Sequence, residues 1–543
     1  MRIKCIKLEQ IEPKHGRYTQ GKRQTMKATF RTHNSTRNVI FSLGSYLFSF
    51  ILSFIVRTVF IYSFGTEYLG VKGLFANIMS VLAFFEVGMG AAIVFRLYTP
   101  IAENDHQRIN QLMRYYRIAY RWIALIVASA GLMILPFLRF ILGDVSGIEE
   151  NLHIVFLLFL LSSVTSYLLV YRKSLIIAHQ QEHLISTVFL VYHVAVAVLQ
   201  ILVLVCFRSF YLFIIVEIAA KVAQNIFISY LCKRKHPYIT EPVEQLPRED
   251  RRGIFKDVRA LILYRMSDIV FTAKDSILLS MFVGLTIVGV YSNYVLIINA
   301  VLTLIFRMIY PLTASIGDVN ATSTIAKQEL VYKSVNFMTF WLYGMAGVCL
   351  YAVLPSLINV WIGADYLLGQ HVLAIIIANF YMLGAVETYK IFRGTFGLFV
   401  QGQIRPVLAT IINVTVSLIL VHYLGIAGIF LGTLSSYLAI YIWYDPLVVY
   451  RHAFKKSPAP FYIRSMAYLA TVAASAYLTD ILCELITVAN PLLTLIARAV
   501  VAFVFVNGVF AALFWRMMEF RYIVASVRGV FMRLRRGIGK GDL

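Results

Sequence analysis

The stretch RNVIFSLGSYLFSFILSFIVRTVFIYSFGTEYLGVKGLF, residues 37–75, decides the class of fold. Between positions 38 and 64 it carries a single charged side chain, Arg57, in an otherwise apolar or weakly polar run. A helix needs about 20 predominantly apolar residues to cross the hydrocarbon core of a bilayer, and this run is longer. We therefore predict a membrane-spanning helix over 38–64.

Most of the chain repeats this pattern. The 543 residues are 59% hydrophobic and 14% charged, whereas soluble domains are about 45–50% apolar and about 25% charged. The mean hydropathy is +0.75. A transmembrane β-barrel would show short alternating segments, which the sequence lacks. We predict an all-α, polytopic membrane protein with about 14 transmembrane helices. The predicted spans cover residues 38–64, 71–95, 118–142, 152–171, 184–206, 209–231, 260–282, 285–311, 334–358, 370–392, 404–424, 426–450, 464–488 and 493–515.

The formal net charge of +23 would suggest nucleic-acid binding in a soluble protein. Here the basic residues lie between hydrophobic runs, and no nucleic-acid-binding motif accompanies them, so we expect them to set topology and attract anionic lipid headgroups. Lys and Arg are concentrated in both terminal tails and in the loops after spans two and six. Positively charged loops stay in the cytoplasm, which predicts two cytoplasmic termini. We also expect the first apolar run to remain as an anchor instead of being cleaved as a signal peptide.

The sequence predicts neither a cofactor nor a metal site. Its five cysteines are far apart and form no metal or disulfide framework. Gly428 and Gly432 form a GxxxG pattern, which is typical of helix packing in membranes. No glycine-rich loop with a Walker lysine is present, so ATP hydrolysis by this chain is not expected.

The two halves of the chain resemble each other weakly. Gly284 follows Gly65 by 219 residues, and Gly289 follows Gly70 by the same offset. Gln403, before span eleven, follows Gln181, before span five, by 222 residues. Six spans per half keep both halves in one orientation, as in parallel repeats related by an axis along the membrane normal. The predicted organisation is a basic tail (1–37), an N-lobe (38–231), a cytoplasmic linker (232–259), a C-lobe (260–450), two additional spans (451–515) and a basic C-terminal tail (516–543).

Three segments carry a resemblance to a known family. They are residues 37–75, the segment FFEVGMGAAIVFR at 84–96, and GQIRPVLATIIN at 402–413. The sequence resembles the polysaccharide transporter branch (Wzx-type oligosaccharide flippases) of the multidrug/oligosaccharidyl-lipid/polysaccharide exporter superfamily. Similar proteins have an acidic residue followed by a Gly-rich turn late in span two, which corresponds here to Glu86. The likeness in topology covers residues 38 to about 515.

The resemblance implies two six-helix lobes around a central cavity, with two extra C-terminal helices. It implies alternating access and no covalent chemistry, so no enzyme activity is expected. The implied cargo is an undecaprenyl-pyrophosphate-linked oligosaccharide, flipped across the bacterial cytoplasmic membrane for capsule, exopolysaccharide or O-antigen synthesis. Polysaccharide polymerase and other assembly proteins are further candidate partners.

Charged residues inside the predicted spans are the candidate site residues. A charge at the centre of a span costs roughly 2.5–3.5 kcal/mol on insertion scales, so it should face water or a partner. Two interpretations of Glu86 stay open. The one we favour is a structural helix end, in which Glu86 hydrogen-bonds backbone groups freed by Gly88 and Gly90, and the other places Glu86 in the cytoplasmic half of the cavity as a proton or gating site. Arg57 offers forked donors to an anionic pyrophosphate, or alternatively snorkels to the outer interface.

Span seven carries four charges. Asp268 and Asp275 are seven residues apart and therefore share a helical face. Arg265 lies three residues before Asp268, and Lys274 adds a cation for an anionic cargo. We expect this polar stripe to face the cavity. The alternative is an internal set of salt bridges that packs against another helix.

Two further pairs have helical spacing. Glu387 and Lys390 in span ten lie three residues apart, either to meet the cargo's phosphates at entry or to mark the membrane interface. Glu217 and Lys221 in span six are four residues apart in the favourable order, so we expect them to neutralise each other.

Two other functions compete with a flippase. An ion-coupled drug or metabolite antiporter of the same superfamily would usually have twelve spans and acidic cavities, whereas Arg57, Lys274 and Lys390 favour an anionic cargo. A membrane polymerase, ligase or glycosyltransferase would carry a large outer loop, and the outer loops predicted here are short.

Overall fold

In the computed structural model, the described residues are 44–143, 147–254, 273–398, 404–486 and 488–538. Within these ranges the regular structure is helical throughout, and no strand occurs in them. Twelve of the described helices are long and apolar enough to cross a membrane. The prediction of an all-α, multi-pass membrane protein is therefore confirmed. The packing described below lies within Ser49–Arg521, which is one compact unit.

Seventeen helices are labelled here within the described part of the chain. They are α1 (Gly44–Phe64), α2 (Thr66–Leu82), α3 (Phe84–Ala102), α4 (His106–Leu142), α5 (Leu152–Ala178), α6 (Glu182–Cys206), α7 (Phe210–Lys235), α8 (residues 273–282), α9 (Leu285–Ile309), α10 (Leu312–Thr322), α11 (Ile325–Ile362), α12 (Gln370–Thr395), α13 (Arg405–Leu424), α14 (Ile426–Phe454), α15 (Ala459–Glu484), α16 (Pro491–Phe514) and α17 (Met518–Ile538).

Two predicted spans account for the difference between fourteen spans and twelve. Span two is divided at Ala83 into α2 and α3. Span seven lies largely outside the described residues, which include only its last part as α8. The count of fourteen therefore stays a prediction, as does the division into lobes, linker and tails.

The break in span two precedes Glu86, whereas a Gly-rich turn was expected after it. Ala83 has a ψ of −8°, and its carbonyl accepts a hydrogen bond from the Glu86 amide at 2.9 Å. This tight i to i+3 bond replaces the usual i to i+4 pattern at that point. Gly88 and Gly90 are helical residues within α3. The expected turn at these glycines is therefore wrong, and Glu86 lies in the first turn of a helix.

The repeat predicted from the glycines reappears in the local structure. Gly65 has a φ of +83° and directly precedes α2, and Gly284 has a φ of +121° and directly precedes α9. Glycine adopts such positive φ values without the steric cost that a Cβ adds. Equivalent positions of the two halves thus begin equivalent helices. The match between Gln181 and Gln403 can be followed only in the first half of the chain. There Gln181 directly precedes α6, whereas Gln403 lies outside the described residues.

The two repeat-related helices contact each other reciprocally through their first turns. A Cβ added to Gly70 of α2 would lie 2.3 Å from the backbone oxygen of Leu285, the first residue of α9. A Cβ added to Gly289 of α9 would lie 2.1 Å from the backbone oxygen of Thr66, the first residue of α2. The absence of a side chain lets two helix backbones approach this closely.

Other helix pairs pack against each other in addition to α2 and α9. Helix α4 packs on α5, and α5 packs on α7. Helix α13 packs closely on α14, where Gly428 and Gly432 face the α13 backbone, so the predicted GxxxG contact is confirmed. The two C-terminal spans, α15 and α16, both pack on α11. There Phe340 stacks on Tyr468 with ring centroids 4.3 Å apart.

We expect Gly70→Ala and Gly289→Ala each to lower the free energy of unfolding by about 1–3 kcal/mol, as overpacking does. The new methyl group would overlap a backbone oxygen, which cannot move aside as a side chain does. The measurement is the thermal unfolding midpoint of the purified protein in detergent. Gly73→Ala on α2 is the matched control, because its Cβ would meet atoms at an ordinary 3.9 Å. An equal loss in the control would contradict the close-approach explanation.

Candidate functional site

Arg57 lies at the junction between α1 and α9. Its Nε donates a hydrogen bond to Asn293 Oδ1 at 2.8 Å, and a terminal nitrogen donates to Ser292 Oγ. Asn293 is fully buried and is held in turn by Gly289, whose carbonyl accepts from its Nδ2 at 3.3 Å. Within the described ranges no carboxylate lies within 4 Å of the half-buried guanidinium. The Arg57 guanidinium is thus hydrogen-bonded by neutral side chains, and among the described residues no carboxylate neutralises its charge.

A second polar contact joins two other helices, α2 and α8. Asn77 of α2 donates a hydrogen bond to Ser276 Oγ of α8 at 2.8 Å. Ser276 is the repeat equivalent of Arg57, since it follows that residue by the same 219 positions. The repeat-equivalent residues Arg57 and Ser276 thus each bond to a helix of the other half of the chain.

A cleft of about 490 Å³ lies among α3, α4 and α5. Its polar lining comes from Glu86 and Tyr98 of α3, Tyr120 of α4, and Lys173 and Ser174 of α5. Glu86 is half-buried there. Glu86 thus lies on the wall of an open cleft whose lining combines these polar groups with apolar side chains.

Two lysines act electrostatically on Glu86. One is Lys173, on the cleft wall, and the other is Lys221, an exposed residue of α7. In the part of the chain that the structure describes, neither lysine has a carboxylate within 4 Å. Among the described residues, the charged groups that act on Glu86 are therefore these two cations.

Glu217 takes its close counter-charge from another helix, while Lys221 acts on it only at longer range. Glu217 forms a salt bridge with Lys72 of α2 at 3.2 Å, and it accepts a hydrogen bond from Gln200 at 3.4 Å. The Lys72 ammonium also lies 4.4 Å from the centre of the Phe213 ring. The contact between helices α2 and α7 thus provides Glu217 with a better-placed cation than its own helix does, and Lys221 acts electrostatically on both Glu217 and Glu86.

Lys274 lies in a packed contact among α8, α13 and α14. It forms a salt bridge with Asp275 and donates to Ser417 Oγ and Thr433 Oγ1, each at 3.3 Å. Only 6% of Lys274 is exposed, so it does not offer a free cation. The alternative of an internal salt bridge packed against other helices fits Lys274 and Asp275. Arg265 and Asp268 lie outside the described residues.

Glu387 and Lys390 of α12 form a salt bridge at 2.8 Å. Their side chains are 17% and 32% exposed, respectively. The pair is thus partly accessible. Contact with the cargo's phosphates and a position at the membrane interface both require this.

Sequence reasoning missed a buried charge cluster formed by Arg393, Arg405 and Asp445. The fully buried Asp445 of α14 accepts from Arg393 of α12 at 3.4 Å and also pairs with Arg405 of α13. The Arg405 guanidinium lies 4.8 Å from the centre of the Tyr441 ring. The signal was present in the sequence, since Asp445 is the single carboxylate in the span 426–450. The cluster joins the end of α12 and the start of α13 to α14.

No protein-family model and no curated protein sequence matches this chain. Solved structures, in contrast, match it over most of its length. An inward-facing multidrug resistance MATE family transporter of the MOP superfamily is 14% identical with a TM-score of 0.60, covering 74% of this chain and 94% of the transporter. The chain has the fold of the MOP-superfamily transporters.

Two further structures support this conclusion. The lipid II flippase MurJ in an inward closed conformation is 14% identical with a TM-score of 0.58, covering 88% of this chain and all of MurJ. The MATE multidrug transporter DinF-BH is 16% identical with a TM-score of 0.56, covering 78% of this chain and 96% of DinF-BH. These similar proteins are transporters and a flippase, and none of the three is an enzyme.

We expect Asp445→Asn to lower the free energy of unfolding by about 3–5 kcal/mol, because it removes the buried carboxylate that pairs with Arg393 and Arg405. Glu387→Gln is the control, since it breaks a partly exposed pair that is worth about 0–1 kcal/mol. Thermal unfolding in detergent measures both. A loss as small as that of the control would mean that water or lipid phosphates satisfy the two arginines in the folded protein.

Proposed function

We propose that this protein is a flippase that moves an undecaprenyl-pyrophosphate-linked oligosaccharide across the bacterial cytoplasmic membrane for surface polysaccharide synthesis. The observation that carries the proposal is the pair of interior cations, Arg57 and Lys173, that have no carboxylate within 4 Å among the described residues. They occur in a fold whose known members include a lipid II flippase.

The physical argument starts from the cost of an uncancelled charge. An ionised side chain at the centre of a membrane helix costs roughly 2.5–3.5 kcal/mol on insertion scales. Buried salt bridges cancel that charge at Lys274 and Asp445. Arg57 is different, because its hydrogen-bond partners Asn293 and Ser292 are neutral, and Lys173 has no carboxylate within 4 Å among the described residues. An anionic headgroup would supply the missing counter-charge, and a guanidinium suits a pyrophosphate because its donors form a planar fork.

The contact between α2 and α9 fits the closed end of an alternating-access cycle. With both termini in the cytoplasm, Gly65 and Gly284 are at the outer face, where the reciprocal contact seals the passage. The cleft around Glu86 then lies toward the inner face, where the cargo enters. Its polar headgroup passes between the N-lobe and the C-lobe, while the polyprenyl tail stays in the lipid.

A specific observation favours a second candidate, an ion-coupled drug or metabolite antiporter. Glu86 is a carboxylate in an open cleft, and two of the three similar structures are multidrug transporters. Cationic drugs should be attracted by a net negative cleft. Around Glu86, however, Lys173 and Lys221 outnumber the carboxylate, which favours the anionic cargo.

The leaflet distribution of lipid-linked intermediates tests the flippase function. We expect deletion of the gene to trap these intermediates in the cytoplasmic leaflet, where an impermeant glycosidase added to intact spheroplasts cannot reach them. Wild-type protein should restore access at least tenfold better than Arg57→Ala, since one charge-assisted contact is worth about 1.5–3 kcal/mol.

Arg208→Ala is the matched control for this assay, because Arg208 lies in the loop between α6 and α7 and outside the α1–α9 junction. An unchanged leaflet distribution after deletion would refute the flippase function. Raised sensitivity to cationic drugs in the same strain would favour the antiporter.

Cysteine labelling tests the proposed orientation. In a background whose native cysteines are replaced by serine, an impermeant maleimide added to intact cells should label Glu149→Cys and miss Arg252→Cys. Both positions are exposed, one between α4 and α5 and one after α7. Labelling of Arg252→Cys alone would reverse the topology, because positively charged loops would then lie outside, against the positive-inside rule.

A further inference from the structure

The polar segment that follows α7 lies against helices of the first half of the chain. Its first residues form a short 3₁₀ turn that packs on α4 and α7. Asn110 of α4 donates a hydrogen bond to the Tyr238 carbonyl, and Arg114 of α4 donates to the Val243 carbonyl. This segment, residues 236–254, is called the docked linker below.

The docking continues to the end of the segment. Arg108 of α4 forms a salt bridge with Asp250 at 2.5 Å. Leu246 and Ile254 are apolar and buried. The linker is thus held by polar and apolar contacts along its length.

Four aromatic side chains hold the beginning of the docked linker. The rings of His236 and of His179, at the end of α5, have centroids 4.0 Å apart. The ring of His106 of α4 lies parallel to the Tyr238 ring at 4.1 Å. The Tyr238 hydroxyl is 3.4 Å from His179 Nε2 and 3.4 Å from His236 Nδ1. One hydroxyl group therefore joins the two histidines.

The hydrogen-bond network fixes which nitrogens carry hydrogen. His179 Nδ1 lies 2.9 Å from the Leu175 carbonyl, which can only accept, so this nitrogen is the donor. In a neutral ring the other nitrogen, Nε2, is then an acceptor, and it takes the hydroxyl hydrogen of Tyr238. The Tyr238 oxygen accepts in turn from His236 Nδ1. Both histidines are neutral in this arrangement.

One more proton does not fit this chain of hydrogen bonds. His236 is only 7% exposed, and within the described ranges its Nε2 has no hydrogen-bond partner. A proton added there would create a buried, charged N–H group without an acceptor, which is costly. A proton added to His179 instead would reverse the Tyr238 hydroxyl and shift the hydrogen of His236 onto the same nitrogen. Either proton therefore disfavours docking.

The charges near His236 act in the same direction. The titratable and charged groups around it are His106 of α4, His179 of α5, Cys232 and Lys235 of α7, and Tyr238 of the linker itself. Burial, and then the positive or ionisable neighbours, lower the pKa of His236 from 6.5 to about 4. Burial raises the pKa of Tyr238 to about 12, so it stays neutral.

We propose that His179, His236 and Tyr238 form an acid-sensitive clamp, which holds the linker on the first half of the chain and releases it when the cytoplasm acidifies. The clamp goes beyond the transport function and requires no particular cargo. The orientation proposed above places it on the cytoplasmic side.

Release would lengthen the connection between the two halves. With the linker docked up to Ile254, residues 255–259 remain to reach the predicted start of span seven, and at about 3.3–3.6 Å per residue they reach at most about 18 Å. Freeing residues 237–254 adds about 60 Å of chain. The clamp therefore limits how far the halves can separate at this face.

The pH dependence has a definite sign. An exposed histidine has a pKa of about 6.5, and docking lowers that of His236 to about 4. Docking is thus fully favoured above about pH 6.5 and weakens as the pH falls toward 4. For one linked proton, the equilibrium constant for docking should fall about tenfold between pH 7.5 and pH 5.5.

Hydrogen–deuterium exchange of the full-length protein in detergent, read by mass spectrometry, tests the clamp. The protection factor of residues 237–254 is corrected for the intrinsic pH dependence of exchange. We expect it to fall about tenfold in wild type between pH 7.5 and pH 5.5. His236→Gln cannot take up the proton, so its protection factor should not fall. His236→Arg is charged at every pH and should lose protection at least tenfold already at pH 7.5.

His183→Gln is the matched control, because His183 is an exposed histidine in the first turn of α6 and belongs to no contact of the clamp. It should keep the wild-type response to pH. Thermal unfolding midpoints identify any variant that is merely unfolded.

Three results would overturn the clamp. They are a wild-type protection factor that is the same at both pH values, an equal fall in wild type and His236→Gln, and full protection of the linker in His236→Arg at pH 7.5. The first needs only the wild-type protein, so the test does not depend on how well the variants fold. The flippase function is untouched by these results and stands or falls on the leaflet assay.

Discussion

The reciprocal contact of α2 with α9 is the constraint on which the rest of the structure depends. Each helix begins directly after a glycine with positive φ, and each uses a second glycine to meet the first turn of the other. The two contacts are equivalent under the repeat. The requirement for close approach at a glycine therefore sets the position of α2 against α9 from both sides. Arg57 bonds to α9, and Asn77 of α2 bonds to α8. Both hydrogen bonds therefore depend on the positions that this contact gives to α2 and α9.

The interior charges fall into two kinds according to what surrounds them. Lys274 and Asp445 are enclosed and paired, so their role is to hold helices together. Arg57, Lys173 and Glu86 are half-buried, and among the described residues none of them has an oppositely charged side chain within 4 Å. In a medium of low dielectric the first kind is costly to break, and the second kind is available for a ligand or a proton.

Local patterns in the sequence were sufficient for much of the fold. Long apolar runs predict spanning helices because a bilayer imposes both their length and their composition. The glycine offset of 219 residues predicts equivalent helix starts because positive φ is a property of the residue itself. Inside span two, however, the helix break at Ala83 has no glycine or proline to mark it. The turn was therefore expected at Gly88 and Gly90, where the chain is helical.

What the sequence alone determined is the membrane class, most of the spans, the internal repeat and Glu86 and Arg57 as residues of interest. The tertiary structure decided which charges are cancelled. It paired Glu217 with Lys72 instead of Lys221, enclosed Lys274, and gathered Arg393, Arg405 and Asp445 from three helices. Hydropathy and helical spacing are set by neighbours in sequence. Charge partners are set by contacts between helices that are far apart in the sequence, so a local sequence pattern does not predict them.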